Sequence, residues 1–362
     1  MITKTYKFKL EPTKEQKEKI EWTLDMCRWL YNSALEQRRI AWEKYGISLQ
    51  GRQMSELPKL KKEFPEFKEV YSQVLQNVIK RLDLAFQSFF RRVKRGEKPG
   101  YPRYKGKGRY DSFTYPQAKA FKIEGKYLKL SKIGLVRIKL HRQIEGKIKT
   151  CTIRRKNGRY YACITCEVEQ EQKPKTGKVV GVDLGVKHLV ITSDGKFFPN
   201  HKYLKKSERK IKYLQRMVSR RKKGSNRRRK AVLLLAKEWE RVANRRKDLA
   251  HKISRKLVDN YDLIAFEDLN IQGMVKNHHL AKSILDASWK TLIEFTSYKA
   301  EWAGKKVVLV DPRNTSQVCS ECGEIVKKTL SERVHSCSCG YTADRDVNAA
   351  RNILKKALQE VA

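Results

Sequence analysis

The chain opens with a period of two. In residues 3–10, Tyr6, Phe8 and Leu10 share one face of a strand, interleaved with lysines. The period then lengthens to that of a helix. Thr13 and Gln16 have the spacing of a capping box, and Ile20, Leu24, Cys27, Leu30, Tyr31 and Ala34 fall on one stripe. A second helix is expected over 69–95, with Tyr71, Val74, Val78, Leu82, Phe86 and Phe89 on its apolar side and Lys80, Arg81, Arg91, Arg92, Lys94 and Arg95 on the other. Glycine and proline break the pattern over 95–110, a basic and aromatic segment of the composition that touches phosphates and stacks on bases. Residues 111–170 return to short strands. Tyr160, Ala162, Ile164, Cys166 and Val168 alternate along one face, which turns Cys163 to the opposite face and argues against Cys163 and Cys166 as a metal pair. Strands on both sides of the helices imply a β-barrel carrying a helical insertion.

At 177 the organisation changes. Three strands separated by turns precede two helical stripes. Leu204, Ile211, Leu214 and Val218 form the first, and Leu235, Trp239, Val242, Leu249, Ile253 and Leu257 the second, with a turn at 224–226. A strand at 261–269, a helix at 283–304, a strand at 306–310, a cysteine cluster and a helix from about 344 complete the order.

Charge narrows the function. The 362 residues contain 82 Lys+Arg against 39 Asp+Glu, a net charge of +43. Solubility needs far less, and a polyanion that releases counterions on binding accounts for the excess. The densest block is 201–256, with 23 basic residues against four acidic ones. No apolar run approaches the ~20 residues of a membrane span, and the first residues have no apolar segment of a secretory signal. The expected location is cytoplasmic, nucleoid-associated in a prokaryote. Of eight cysteines, Cys27, Cys151, Cys163 and Cys166 are scattered, and Cys319, Cys322, Cys337 and Cys339 are clustered. That distribution favours reduced thiols and metal over disulfides.

Three acids occupy costly positions. Asp183 sits among Val180, Val182 and Leu184, Glu267 ends an apolar strand, and Asp346 opens the last helix. Convergence on divalent cations is one way to compensate them. Oxygen ligands suit Mg²⁺ or Mn²⁺, and two such ions stabilise the attacking and leaving oxygens of an in-line phosphodiester displacement. Asp268 is expected on the opposite sheet face from Glu267, and Asp344 as an N-cap, so Asp346 is preferred over Asp344 as third ligand. The C-x₂-C and C-x-C pairs, fourteen residues apart and each followed by glycine, have the spacing of a closed structural Zn²⁺ site. His335 is expected to be structural or solvent-facing.

These residues resemble the TnpB (OrfB) family of insertion sequences, which is similar to type V CRISPR effector nucleases. The resemblance is carried by YNSALEQRR (31–39), GYPRYK (100–105), GVDLGVK (181–187), RKKGSNRRRKA (221–231), AFEDLN (265–270), TSQVCSECG (315–323) and CGYTADRDVNAARNIL (339–354). The family pattern has C-x-x-C where this chain has C-x-C. The resemblance implies an α/β and β multidomain protein: a wedge β-barrel (1–12 and 108–172), a helical recognition insertion with a basic linker (13–107), a RuvC-like nuclease of RNase H fold (173–311 and 343–362) and a zinc element (312–342). It places the catalytic roles on Asp183, Glu267 and Asp346. It implies RNA-guided cutting of double-stranded DNA beside a short motif, with a noncoding guide RNA from the transposon end. Two other readings use the same residues: a transposase performing strand transfer, and a nuclease-silent RNA-guided DNA binder.

Overall fold

In the computed structural model the opening alternation forms β1 (Ile2–Glu11), with Tyr6, Phe8 and Leu10 buried. The described residues are 1–170, 172–329 and 332–361; Glu171, Leu330, Ser331 and Ala362, which fall inside the expected wedge, cysteine-element and nuclease segments, lie outside them. Two units are resolved by their internal contacts, Met1–Glu169 and Gln170–Ala362.

In the first unit β1 leads into α1 (Lys14–Tyr45). The Thr13 hydroxyl accepts from the Gln16 N–H at 3.3 Å, and the Gln16 side chain accepts from the Thr13 N–H at 3.0 Å, closing the capping box. Two short helices, α2 (Arg52–Ser55) and α3 (Leu57–Glu63), precede α4 (Ser72–Lys94). The second long helix starts at 72 rather than 69 because residues Pro65–Glu69 form a 3₁₀ turn. Six strands follow: β2 (Ser112–Tyr115), β3 (Phe121–Glu124), β4 (Tyr127–Leu130), β5 (Gly134–Lys139), β6 (Lys147–Lys156) and β7 (Arg159–Val168). They join β1 in one antiparallel sheet of order β2-β6-β7-β1-β5-β4-β3. Its edges, β2 and β3, are not hydrogen-bonded to each other, so the expected barrel is a half-barrel. The edges meet through side chains instead, with Tyr115 and Phe121 rings 6.4 Å apart. Val74, Val78 and Leu82 of α4 and Leu24 and Leu35 of α1 share one core with Phe8, Phe113 and Ile164 of the sheet.

The second unit is built on β8 (Val179–Asp183), β9 (His188–Thr192), β10 (Phe197–Pro199), β11 (Leu263–Glu267) and β12 (Lys306–Val310). The sheet order is β10-β9-β8-β11-β12. β8, β11 and β12 are parallel, whereas β9 and β10 are antiparallel. Between β10 and β11 runs a hairpin of α5 (Tyr203–Ser219) and α6 (Asn226–Asn260), the latter capped by Ser225. The segment expected as one helix over 283–304 is broken. After the short α7 (Ile271–Met274) come α8 (His278–Ala287) and α9 (Trp289–Trp302), with Ser288 between them in the left-handed region at φ 56°. The break has a tertiary cause. Buried Asp286 accepts from the Leu204 N–H and pairs with Arg246 at 2.7 Å, and the Trp289 indole N–H reaches the Gly185 carbonyl at 3.3 Å. A two-stranded ribbon, β13 (Val334–Ser336) and β14 (Thr342–Asp344), leads into α10 (Arg345–Val361).

Parallel strands buried on both faces need two partners. Val180, Val182, Ile264 and Phe266 pack with Ile253 and Leu257 of α6 and Leu292 of α9. Leu263, Ala265 and Val310 face the other way, onto Ile353 and Ala357 of α10. Among the described residues, no helix is long and apolar enough to cross a membrane.

Candidate active site

Alternation along β8 and β11 decides where two of the acids point. Asp183 and Glu267 end adjacent parallel strands whose register pairs Phe266 with Val182, so the two carboxylates stand level. Both share the parity of Leu263 and Ala265, the face that α10 covers. Asp268 falls on the other parity and is exposed.

Helix α10 brings in the third acid, and Gly181 lets it approach. A Cβ at Gly181 would lie 2.0 Å from the Ala350 carbonyl oxygen and 2.7 Å from the Leu354 nitrogen. Only glycine admits backbone this close. From Ala350 back to Asp346 the helix advances about 6 Å, and from Gly181 to Asp183 the strand advances about 6.6 Å. An antiparallel helix seated on Gly181 therefore carries Asp346 alongside Asp183. Asp344 caps the helix, its carboxylate accepting from the Asp346 N–H at 2.8 Å and the Val347 N–H at 3.3 Å.

The three carboxylates feel one another. Burial, then the charges of Glu267 and Asp346, push the Asp183 carboxyl well above the ordinary range, while Arg345 and the Leu184 N–H oppose the shift. Burial also raises Glu267, against a hydrogen bond from the Thr315 hydroxyl at 2.5 Å and the charge of Lys356. Asp346 is held by Arg345, whose Nε and Nη2 both lie 3.2 Å from its Oδ1, and by Arg333 at 3.9 Å. Among the described residues the carboxylates do not close to the spacing of one shared ligand shell; only the four clustered cysteines do. Asp346 is turned to arginine. All three donors are oxygens, and they fit hard divalent cations.

Sequence reading missed Gly181, Thr315 and Arg345. Gly181 had a signal, since glycine inside an apolar strand marks close approach. Thr315 had none, because its contact with Glu267 arises from packing between distant segments, and Arg345 was passed over although it adjoins Asp346.

The ligand atoms of Cys319, Cys322, Cys337 and Cys339 all lie within 4.8 Å of one another. The Cys319–Cys339 sulfurs are 3.8 Å apart and the Cys322–Cys337 sulfurs 3.5 Å. A tetrahedron of thiolates about 2.3 Å from a central ion has edges of about 3.8 Å. Each pair sits on a knuckle closed by a left-handed glycine, Gly323 at φ 83° and Gly340 at φ 84°, whose N–H groups return to the Cys319 and Cys337 carbonyls at 3.0 Å. This geometry fits a structural Zn²⁺. His335 is fully buried and contacts Lys328, so its solvent-facing alternative is excluded. Cys163 lies on the outer face of β7 and Cys166 on the core face.

The α5–α6 hairpin holds the basic block. Among the described residues, six of its 23 cations are in ion pairs. The tip carries Arg220, Arg221, Lys222, Lys223 and Arg227 to Lys230 around Gly224. A surface of this kind binds phosphate without reading sequence.

The comparisons with known proteins agree with this layout. Family models match at residues 163–278 (IS605 OrfB, described as a probable transposase), 289–353 (a Cas12f1-like TNB domain) and 1–46 (a helix-turn-helix domain). The last match covers one strand and one long helix here. A Streptomyces pristinaespiralis protein named "Putative RNA-guided DNA endonuclease" is 34% identical over 99% of this chain and 90% of its own length. An Escherichia coli protein of the same description, InsQ, is 33% identical over 96% and 91%. In fold, the chain is similar to Cas12f1 in a complex with sgRNA and target DNA, with a TM-score of 0.62 and 13% identity over 97% of this chain and 98% of that one. It is also similar to the mini-RNA-guided endonuclease CRISPR-Cas_phi3, with a TM-score of 0.59 and 10% identity over 99% and 92%. With identity above 30% along nearly its whole length, the chain belongs to the TnpB (OrfB) family of insertion-sequence proteins.

Proposed function

We propose that the protein is an RNA-guided DNA endonuclease that cuts phosphodiester bonds in a RuvC-like site formed by Asp183, Glu267 and Asp346. What supports this is that Asp183 and Glu267 end adjacent strands level with each other on the face that α10 covers, with Asp346 in the first turn of α10 and its charge felt at Asp183, in a chain of +43. The order β10-β9-β8-β11-β12, with an antiparallel pair beside three parallel strands, supports an RNase H fold for 173–311 and 343–362. Residues 1–12 and 108–172 are read as the wedge, 13–107 as the recognition insertion and 312–342 as the zinc element.

The three carboxylates would hold two Mg²⁺ or Mn²⁺ ions, which supply charge neutralisation at the attacking and leaving oxygens of the scissile phosphate. The rest is the work of the chain. Thr315 fixes the Glu267 rotamer, and Gly181 sets the level of Asp346. Arg345 balances Asp346 and is tied to the cysteine ribbon through the Glu332 carbonyl at 3.0 Å and the Arg333 carbonyl at 2.8 Å. The four cysteines would hold one structural Zn²⁺ that fixes this ribbon and so the start of α10.

The hairpin cations grip a backbone polyanion without reading bases, which suits a protein whose sequence reading is delegated to a guide. We assign the guide to a noncoding RNA of the transposon end and the target to double-stranded DNA beside a short motif. The family model's description as a transposase keeps strand transfer as a second reading with the same acids. Copurified nucleic acid separates the two. A structured RNA whose guide segment sets the cutting position supports the guided nuclease. RNA-free protein that joins DNA ends supports strand transfer.

A further inference from the structure

The helical part of the first unit contains a cavity that the nuclease chemistry does not use. It encloses about 290 Å³ between the end of α1, the loop after it, the last turns of α4 and the basic loop. Its walls include Trp42, Phe86, Phe89, Phe90 and Tyr101. The rings are already arranged edge to face. Tyr101 lies 5.5 Å from both Phe86 and Phe89, at 89° and 77°, and Phe89 lies 5.2 Å from Phe90 at 65°. The arrangement leaves ring faces uncovered, with Trp42 65% exposed, Phe90 59% and Tyr101 46%. The one cation in the wall, Arg38, is buried, lies over the Phe86 ring at 5.4 Å and is fixed by Asp83 at 2.5 Å and by Gln53.

Exposed aromatic rings gathered in one cavity mark an interaction site. The charge around it selects the occupant. The segment 91–109, which begins one residue after Phe90 and supplies Tyr101, has nine basic residues against one acidic residue. Among the described residues, no ion pair engages Arg91, Arg92, Lys94, Lys98 or Arg103. A volume near 300 Å³ is the low end for small-molecule sites, room for one planar heterocycle and too little for a helix. Flat aromatic walls joined in sequence to so basic a segment match a nucleotide, with its π-face on the rings and its phosphates on cations of that segment. An apolar protein partner would not call for that charge.

We propose that this cavity is a stacking site for one unpaired base of a single-stranded nucleic acid, held between Trp42 and the Phe90–Tyr101 wall with its flanking phosphates on cations of the 91–109 segment. The ligand class, nucleic acid, rests on the reading above; the site does not depend on the three acids.

The test is photo-crosslinking of the full chain to short single strands carrying one 5-iodouracil, in separate RNA and DNA arms, with crosslinked peptides mapped by mass spectrometry. The proposal expects crosslinks at Trp42, Phe90 or Tyr101, competed by unlabelled single strand and not by duplex. Crosslinking in the RNA arm alone assigns the base to RNA, and in the DNA arm alone to an unpaired DNA strand. W42L/F90L should weaken binding of the same strand about 5- to 100-fold with the salt slope unchanged, because stacking carries no counterion release. R91A/R92A should lower that slope by about 1.4. Crosslinks confined to other peptides, with W42L/F90L folded and binding as before, would overturn the site even if guided cutting is intact. A dimeric protein that W42L/F90L turns into a monomer would overturn it too, making the cavity a contact between copies.

Discussion

Gly181→Ala changes no carboxylate and no charge, yet it should disable the site. The added Cβ would lie 2.0 Å from the Ala350 oxygen, where ordinary contact begins at 3.4 Å, so the deficit is 1.4 Å. The atoms it meets include backbone on α10, so no rotamer change relieves the clash. The helix must lift or slide by about that distance, and Asp346 moves with it. Overpacking of this kind costs about 1–3 kcal/mol, which is roughly a 2–12 °C drop in the thermal midpoint of a unit this size. Misplacing a reacting group by about 1 Å costs on the order of 100-fold in rate. The assay is single-turnover DNA cleavage beside thermal unfolding and RNA binding, with Gly100→Ala as control, since nothing lies within 4 Å of a Cβ there and its φ is ordinary. Cleavage should fall about 100-fold while RNA binding persists. If Gly181→Ala cuts at the parental rate with an unchanged midpoint, the placement of Asp346 by this contact is wrong.

Elemental analysis should find one zinc per chain; Cys322→Ser should lose it and loosen the C-terminal ribbon, and Cys163→Ser should leave it unchanged. Asp344→Ala should cost about 1 kcal/mol as a lost cap, with most cutting retained; if it abolishes cutting on folded protein, Asp344 rather than Asp346 is the third ligand. Lys299, buried between α6 and α9 with its ammonium on the His251 carbonyl and Ser254, has its pKa lowered to about 8 by burial and by Arg255. The fold therefore disfavours its charged form. Stability should be lowest below pH 8 and rise by about 2–3 kcal/mol as pH climbs from 8 toward 10.4, where the unfolded chain still holds the proton. Denaturant titrations across that window should show the rise, and Lys299→Met should flatten it; an equal rise in the variant refutes the assignment.

Local chemistry was legible where one segment decides its own shape. Thr13 and Gln16 announced a helix start, and Gly323 and Gly340 the cysteine knuckles. What escaped was decided at long range. Ser288 breaks a helix without glycine or proline, because Asp286 and Trp289 are fixed by partners about 80 and 100 residues earlier. Whether the first sheet closes depends on whether β2 and β3 hydrogen-bond, and side-chain alternation is the same either way. His335 read as either structural or solvent-facing, and its burial within the ribbon, which decides for the structural reading, comes from tertiary packing. The acids themselves stood out because carboxylates at apolar strand ends are expensive, but Thr315, which holds Glu267, comes from a loop 48 residues away.

The most direct test of guided cutting by the three acids is to purify the protein with its RNA, change only the guide segment, and map the cuts in a DNA library with Mg²⁺. Cutting should move to the new complementary site, and Asp183→Ala, Glu267→Ala and Asp346→Ala should each still bind that site and not cut it. Cutting that ignores the RNA, or that survives all three substitutions, would contradict guided cutting by these acids.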